Sequence, residues 1–145
     1  MRILVQRCQR AEVSVSGNTI GKIAYGMLVL VGFTDTDTEE QIDYLVDKLI
    51  HLRIFDDEQG IMNRSLLEIQ GELLSVSQFT LYADTKKGRR PSYSKALNGT
   101  KAKVLYEQFN QKLREAQIYV ATGEFGADMQ VSLVNDGPVT ILLER

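Results

Sequence analysis

The stretch Met129-Gln130-Val131-Ser132-Leu133-Val134-Asn135-Asp136-Gly137-Pro138-Val139-Thr140-Ile141-Leu142-Leu143 reads as a β-hairpin that closes the chain. Two runs rich in β-branched and aliphatic residues flank Asn135-Asp136-Gly137, residue types that tolerate positive φ where a tight turn needs it. Gly137-Pro138 at the start of the returning strand is less ordinary. A proline there removes a ladder donor and confines the position to an edge, a first residue or a bulge. A trans proline starting the strand is the commonplace reading, because only about 5–6% of X-Pro bonds are cis.

Working outward, the other elements follow from pattern. Arg2 to Gln9 and Glu12 to Ser16 read as two strands joined at Arg10-Ala11, and Gly17-Asn18 turns the chain into a short strand over 19–23. Met27 to Phe33 is apolar on both faces, as a buried central strand would be. Thr38-Glu39-Glu40-Gln41 is a capping box opening a helix whose Ile42, Leu45, Val46 and Leu49 share one face. Gly71 to Tyr82 reads as a strand whose second half, Ser77-Gln78-Phe79-Thr80, turns polar. A second helix spans about Thr100 to Ala116, with Ala102, Leu105, Tyr106, Phe109 and Leu113 inward, and Ile118 to Ala121 adds a strand. This order predicts an α+β fold, a single domain over 1–145 with largely antiparallel sheet and the helices on one side.

Composition narrows the chemistry. A chain of 145 residues buries roughly 68–70% of its unfolded surface, enough for one core without disulfide or metal. A lone cysteine, Cys8, allows no disulfide within the chain, and the opening strand pattern shows no signal peptide, so a cytoplasmic protein is expected. The net charge of −2 conceals a block from Thr85 to Tyr106 with seven cations (Lys86, Lys87, Arg89, Arg90, Lys95, Lys101, Lys103) and no acid, leaving ten cations against nineteen acids elsewhere. Such a block attracts polyanions locally, or is simply a solvated loop and helix start.

Several catalytic classes lack their residues. Neither a Gly-x-x-x-x-Gly-Lys nor a Gly-x-Gly-x-x-Gly run occurs, and one histidine with one cysteine cannot build a zinc site without carboxylates, so no metal or other cofactor is expected. The acidic turn Asp56-Asp57-Glu58-Gln59-Gly60 lacks the alternation of a calcium loop. His51, the single histidine, lies about 200° around the first helix from Leu49 and faces away from its apolar side. No Gly-x-Ser-x-Gly elbow is present, and Ser77 and Thr80 have no evident activating base.

Ser77-Gln78-Phe79-Thr80-Leu81 and Asn135-Asp136-Gly137-Pro138-Val139-Thr140 together resemble the two signature motifs of the D-aminoacyl-tRNA deacylases. The likeness runs on through Val5-Gln6-Arg7, Arg90-Pro91-Ser92 and Phe125-Gly126-Ala127-Asp128-Met129, with Tyr93 where phenylalanine is expected. The resemblance implies a three-layer β/β/α homodimer that hydrolyses the ester joining a D-amino acid to the terminal adenosine of tRNA. It implies a cis Gly137-Pro138 bond inserted into the partner subunit's pocket to exclude L side chains, and glycyl-tRNA as a second substrate. It places Ser77, Gln78, Phe79 and Thr80 at the reacting ester, Ala102 on the pocket wall, and Phe125 and Met129 against adenosine. Arg7 would hold the inserted loop, while Lys86, Lys87, Arg89 and Arg90 would meet tRNA phosphates. With no base at hand, the substrate's ribose 2′-hydroxyl would assist, and backbone N–H groups would stabilise developing charge. Two other classes remain open from the residues alone: a non-enzymatic RNA-binding module, and a Ser/Thr hydrolase of small esters.

Overall fold

The structure, a computed structural model, describes residues 1–145. β1 (Arg2–Val15) is the axis of the molecule. One side of it pairs antiparallel with β2 (Asn18–Ile23) along its second half and with β3 (Gly26–Gly32) along its first. Its other side pairs antiparallel with β8 (Met129–Glu144) from end to end. Beyond β3 the sheet continues in parallel through β6 (Glu72–Ser77) to β7 (Tyr119–Thr122), while β4 (Phe55–Asp56) and β5 (Met62–Arg64) form a separate small ribbon.

The apolar run expected over 27–33 is β3, and its alternation creates two cores. Met27, Val29 and Val31 face the helices α1 (Glu39–Ile50) and α2 (Gly99–Glu115), with Leu45, Leu49, Phe109 and Leu113 packed against them. Leu28 faces the opposite way, into a smaller core with Val13, Ile23, Leu74, Val76 and Ala121, where β2 and the second half of β1 lie over β6 and β7. Helices, central sheet and covering strands thus make the β/β/α layering. The capping box forms as read, with Thr38 at the N-cap and Gln41 accepting from its backbone N–H at 2.9 Å.

Three expectations are corrected. The final stretch is no hairpin: 129–144 is one strand, and Asp136 to Val139 loop out of it opposite the Gln6–Cys8 segment of β1. Turn chemistry at Asn135-Asp136-Gly137 serves this bulge instead, with Gly137 at φ +121, the Gly137–Pro138 peptide cis, and the Asn135 side chain accepting from the Val139 N–H at 3.1 Å. The two strands read over 2–16 are also one strand, because Arg10 and Ala11 pair in register with Val134 and Leu133 of β8, and the irregularity beside them, between Cys8 and Arg10, is only a register shift. Finally, β6 ends at Ser77, and Phe79–Tyr82 coil into a single 3-10 turn.

Candidate active site

The end of that strand builds the site. The Gln78 N–H donates to Val31 O at 2.7 Å, the last link to β3, after which the chain turns into Phe79–Tyr82. The first N–H groups of a helical turn have no partner inside it. Those of Phe79 and Thr80 donate to no group within the chain, whereas Leu81 and Ala83 donate back to Gln78 O and Thr80 O. Two adjacent backbone donors are therefore free at one spot.

They adjoin a cleft of about 640 Å³, mostly apolar in lining, between the ends of β3 and β6, the start of α2 and the segment leading into β8. Ser77, Gln78, Phe79, Ala102, Phe125 and Met129 all line it. Thr80 sits one residue beyond, its hydroxyl accepting from the Gln78 side-chain amide at 2.5 Å. That bond fixes both side chains next to the free N–H groups. Tyr106, buried behind the cleft, joins its two sides: its O–H donates to Ser75 O at 2.8 Å, and its ring lies 5.9 Å from that of Phe125. Burial raises the Tyr106 hydroxyl above the usual phenol range, so it stays a donor. A wider hollow along α2 shares Phe125 with the cleft but is lined mainly by charged and amide side chains, without a convergent apolar wall.

The cleft also uses Val31, Phe33, Leu97, Tyr93 and Asp128, none of them an expected site residue. Leu97 gives no signal as a sequence letter; it arrives because its N–H donates to Phe33 O at 2.9 Å. Asp128 does carry a signal, as a polar residue beside Met129 within the 125–129 segment.

Other expected site residues lie elsewhere on the chain. Arg7, Gly137 and Pro138 do not line the cleft. Arg7 is 5% exposed and lies under the bulge, donating to Asp136 O at 3.1 Å, Ile54 O at 2.8 Å and the Asp56 carboxylate at 3.1 Å. Lys86, Lys87, Arg89 and Arg90 occupy an exposed loop closed by paired backbone bonds between Asp84 and Ser92. None of the four forms an ion pair, in contrast to Lys95 and Lys103, which reach Asp84 and Glu107. His51 caps the C-terminus of α1, exposed, with Nδ1 against Asp47, and does not line the cleft. No group of His, Cys, Asp and Glu side chains is arranged to hold a metal ion.

A family model described as D-Tyr-tRNA(Tyr) deacylase matches residues 4–144. The chain belongs to that family. Relatives named D-aminoacyl-tRNA deacylase include one from Thermosipho africanus, 59% identical over 99% of this chain and 97% of its own length. Another, from Bacillus pumilus, is 58% identical over 99% and 98%. Among solved structures, a protein described as c-Myc DNA unwinding element binding protein superposes with a TM-score of 0.94 at 40% identity, over 100% of this chain and 99% of that one. A probable eukaryotic D-amino acid tRNA deacylase shares the fold, with a TM-score of 0.85 at 21% identity over 98% and 97%. Membership in the deacylase family makes the chain an enzyme of ester hydrolysis on charged tRNA, and no helix is long and apolar enough to cross a membrane.

Proposed function

We infer that this deacylase removes D-amino acids, and glycine, from tRNA by holding the ester against the free Phe79 and Thr80 N–H groups. Those two donors carry the reading. Attack of water on the ester carbonyl moves negative charge onto its oxygen, and preorganised backbone donors stabilise that charge without reorganising. Gln78 orients the Thr80 hydroxyl, Ala102 leaves room for the acyl group, and Phe125 with Met129 receives the terminal adenosine. The group that relays the attacking water's proton to the leaving 3′-oxygen is the substrate's own 2′-hydroxyl, held close enough for an intramolecular step.

Chirality is read by Gly137 and Pro138 of a partner subunit. Two observations support a homodimer of this kind. The bulge that carries the pair is exposed and braced from beneath by Arg7, so it projects from its own subunit. And β8 pairs only with β1, so its other edge is open along the strand, with Val134 and Leu142 exposed beside it. An open edge of that length is a pairing surface. The enzyme would work in the cytoplasm, where charged tRNA is made and used.

The test is release of tyrosine from D-tyrosyl-tRNA, with L-tyrosyl-tRNA and a small D-tyrosine ester as controls. Hydrolysis of the D substrate alone is expected. Equal cleavage of all three would indicate an unselective esterase, and tight RNA binding without cleavage a binding module. A tRNA ending in 2′-deoxyadenosine should be cleaved at least tenfold more slowly, whereas His51→Ala should stay within about twofold of the parent rate.

A further inference from the structure

Phe79 and Tyr93 are exposed aromatic side chains, at 57% and 42%, and they touch each other. Their rings meet edge to face, with centroids 5.1 Å apart at 69°, on the rim of the cleft. Phe79 supplies one of the free N–H groups with its backbone, so its side chain is spare. Tyr93 directly follows Ser92, the residue whose N–H and C=O pair with Asp84 at 2.9 and 2.8 Å to close the cationic loop. The four cations without acidic partners and the two exposed rings therefore stand on one short, cross-braced piece of chain.

An exposed aromatic face beside unpaired cations is the combination that binds single-stranded nucleic acid: the cations follow the phosphates and the ring offers a surface to any base. A protein surface meant only for water gains nothing from two large rings in edge contact. We propose that Phe79 and Tyr93 form a stacking platform for an unpaired base of the tRNA 3′ end, that of the nucleotide preceding the terminal adenosine. The proposal rests on the deacylase reading, which puts the adenosine at Phe125 and Met129 inside the cleft. The strand must then leave over the rim, and the rim on the side of the phosphate-binding loop is Phe79 and Tyr93. The face of the Tyr93 ring, and not its hydroxyl, makes the contact.

A thermodynamic cycle on binding tests this apart from the reaction. The ligand is an uncharged hairpin RNA ending in CCA, with and without the base of the penultimate nucleotide, titrated into the parent protein and Tyr93→Ala. Removing the base should weaken binding to the parent roughly 5- to 100-fold. It should have little further effect in Tyr93→Ala, and Tyr93→Phe should repeat the parent result. With 2-aminopurine at the penultimate position, the parent should quench its fluorescence on binding and Tyr93→Ala should not. Equal cost of base removal in parent and variant would overturn the platform. So would dissociation of Tyr93→Ala or Tyr93→Leu into smaller species, which would make the rings a contact between subunits. Tyr93→Leu also covers misfolding of the alanine variant, since it keeps bulk without a stacking face. Failure of D-tyrosyl-tRNA hydrolysis would remove the deacylase reading while leaving the outcome of this cycle interpretable.

Discussion

Arg7 Nε donates to the backbone carbonyl of Asp136 at 3.1 Å and lies 3.3 Å from that residue's carboxylate, so a single buried guanidinium holds both the main chain and the side chain of the bulge in β8. Its Nη1 donates to Ile54 O and the Asp56 carboxylate, tying the bulge to the ribbon of β4 and β5. The planar fork suits this divergent set of acceptors; an ammonium does not.

Arg7→Met should therefore cost about 3 kcal/mol, near the low end for breaking a buried ion pair because Asp56 and Asp136 both keep some contact with water. For a chain of this length that is roughly a 10 °C fall in melting temperature. Arg7→Lys should fall in between. An unchanged melting temperature in Arg7→Met would show that the bulge holds itself.

Cys8 gives a prediction in pH. It is fully buried, paired with Gly26 on one side and Asn135 on the other, and burial pushes its thiol up to about 11. Between about pH 9 and 11 the unfolded chain has released a proton that the folded chain retains, so stability falls as pH rises, by about 1.4 kcal/mol per unit at most. Tyr82, raised to about 12 first by burial, extends the decline above pH 10. Urea midpoints from pH 8 to 10.5 should decline in the parent and decline less steeply in Cys8→Ala. At pH 8 the folded thiol should resist a disulfide reagent that labels it in urea.

Local patterns made much of this architecture legible, and long-range choices hid the rest. Met27 to Phe33 and the Thr38 to Gln41 box were readable because period and capping are properties of neighbours. Asn135-Asp136-Gly137 reads as a hairpin because the same conformational tolerance suits a hairpin tip and a strand bulge. Only the partner decides, and here β1 runs past both halves. The end of β6 has no local marker either: it is set where Gln78 makes its last bond to Val31. Of the site, the motif segments and Ala102 could be found along the chain, whereas Leu97 could enter the cleft only through its bond to Phe33.

The cationic loop should show itself in salt dependence. Lys86, Lys87, Arg89 and Arg90 are exposed and form no close ion pair, so each is able to release counterions from bound RNA. If all four meet phosphates, neutralising them together should flatten the plot of log affinity against log salt by about 3. Lys95→Gln, which breaks the pair with Asp84, serves as a control with a smaller effect. An unchanged slope in the quadruple variant would move the tRNA to another face.

Gly137 carries the sharpest expectation about selectivity. At φ +121 an L side chain is strained, and a Cβ would stand 2.9 Å from Val139 Cγ2 and 3.1 Å from the Arg7 guanidinium. Neither neighbour can yield freely, because Arg7 is held by its acceptors and the β-branched Val139 side chain is stiff on a backbone whose N–H, itself 3.2 Å from that Cβ, is bonded to Asn135. Gly137→Ala should thus displace the bulge at a cost of about 1–3 kcal/mol and leave the two cores, which lie elsewhere, intact. Gly17→Ala is the matched control: φ is +82 in an open turn with nothing within 4 Å, so it carries backbone strain without a clash. Both variants should fold and lose stability. Gly137→Ala alone should cleave D-tyrosyl-tRNA at least tenfold more slowly or begin to cleave L-tyrosyl-tRNA, because under the proposed chirality filter a displaced bulge would no longer define the wall of a partner's pocket. If Gly137→Ala kept both the parent rate and the parent preference for D over L, the bulge would be a feature of the fold and the chirality filter would have to lie among the residues lining the cleft.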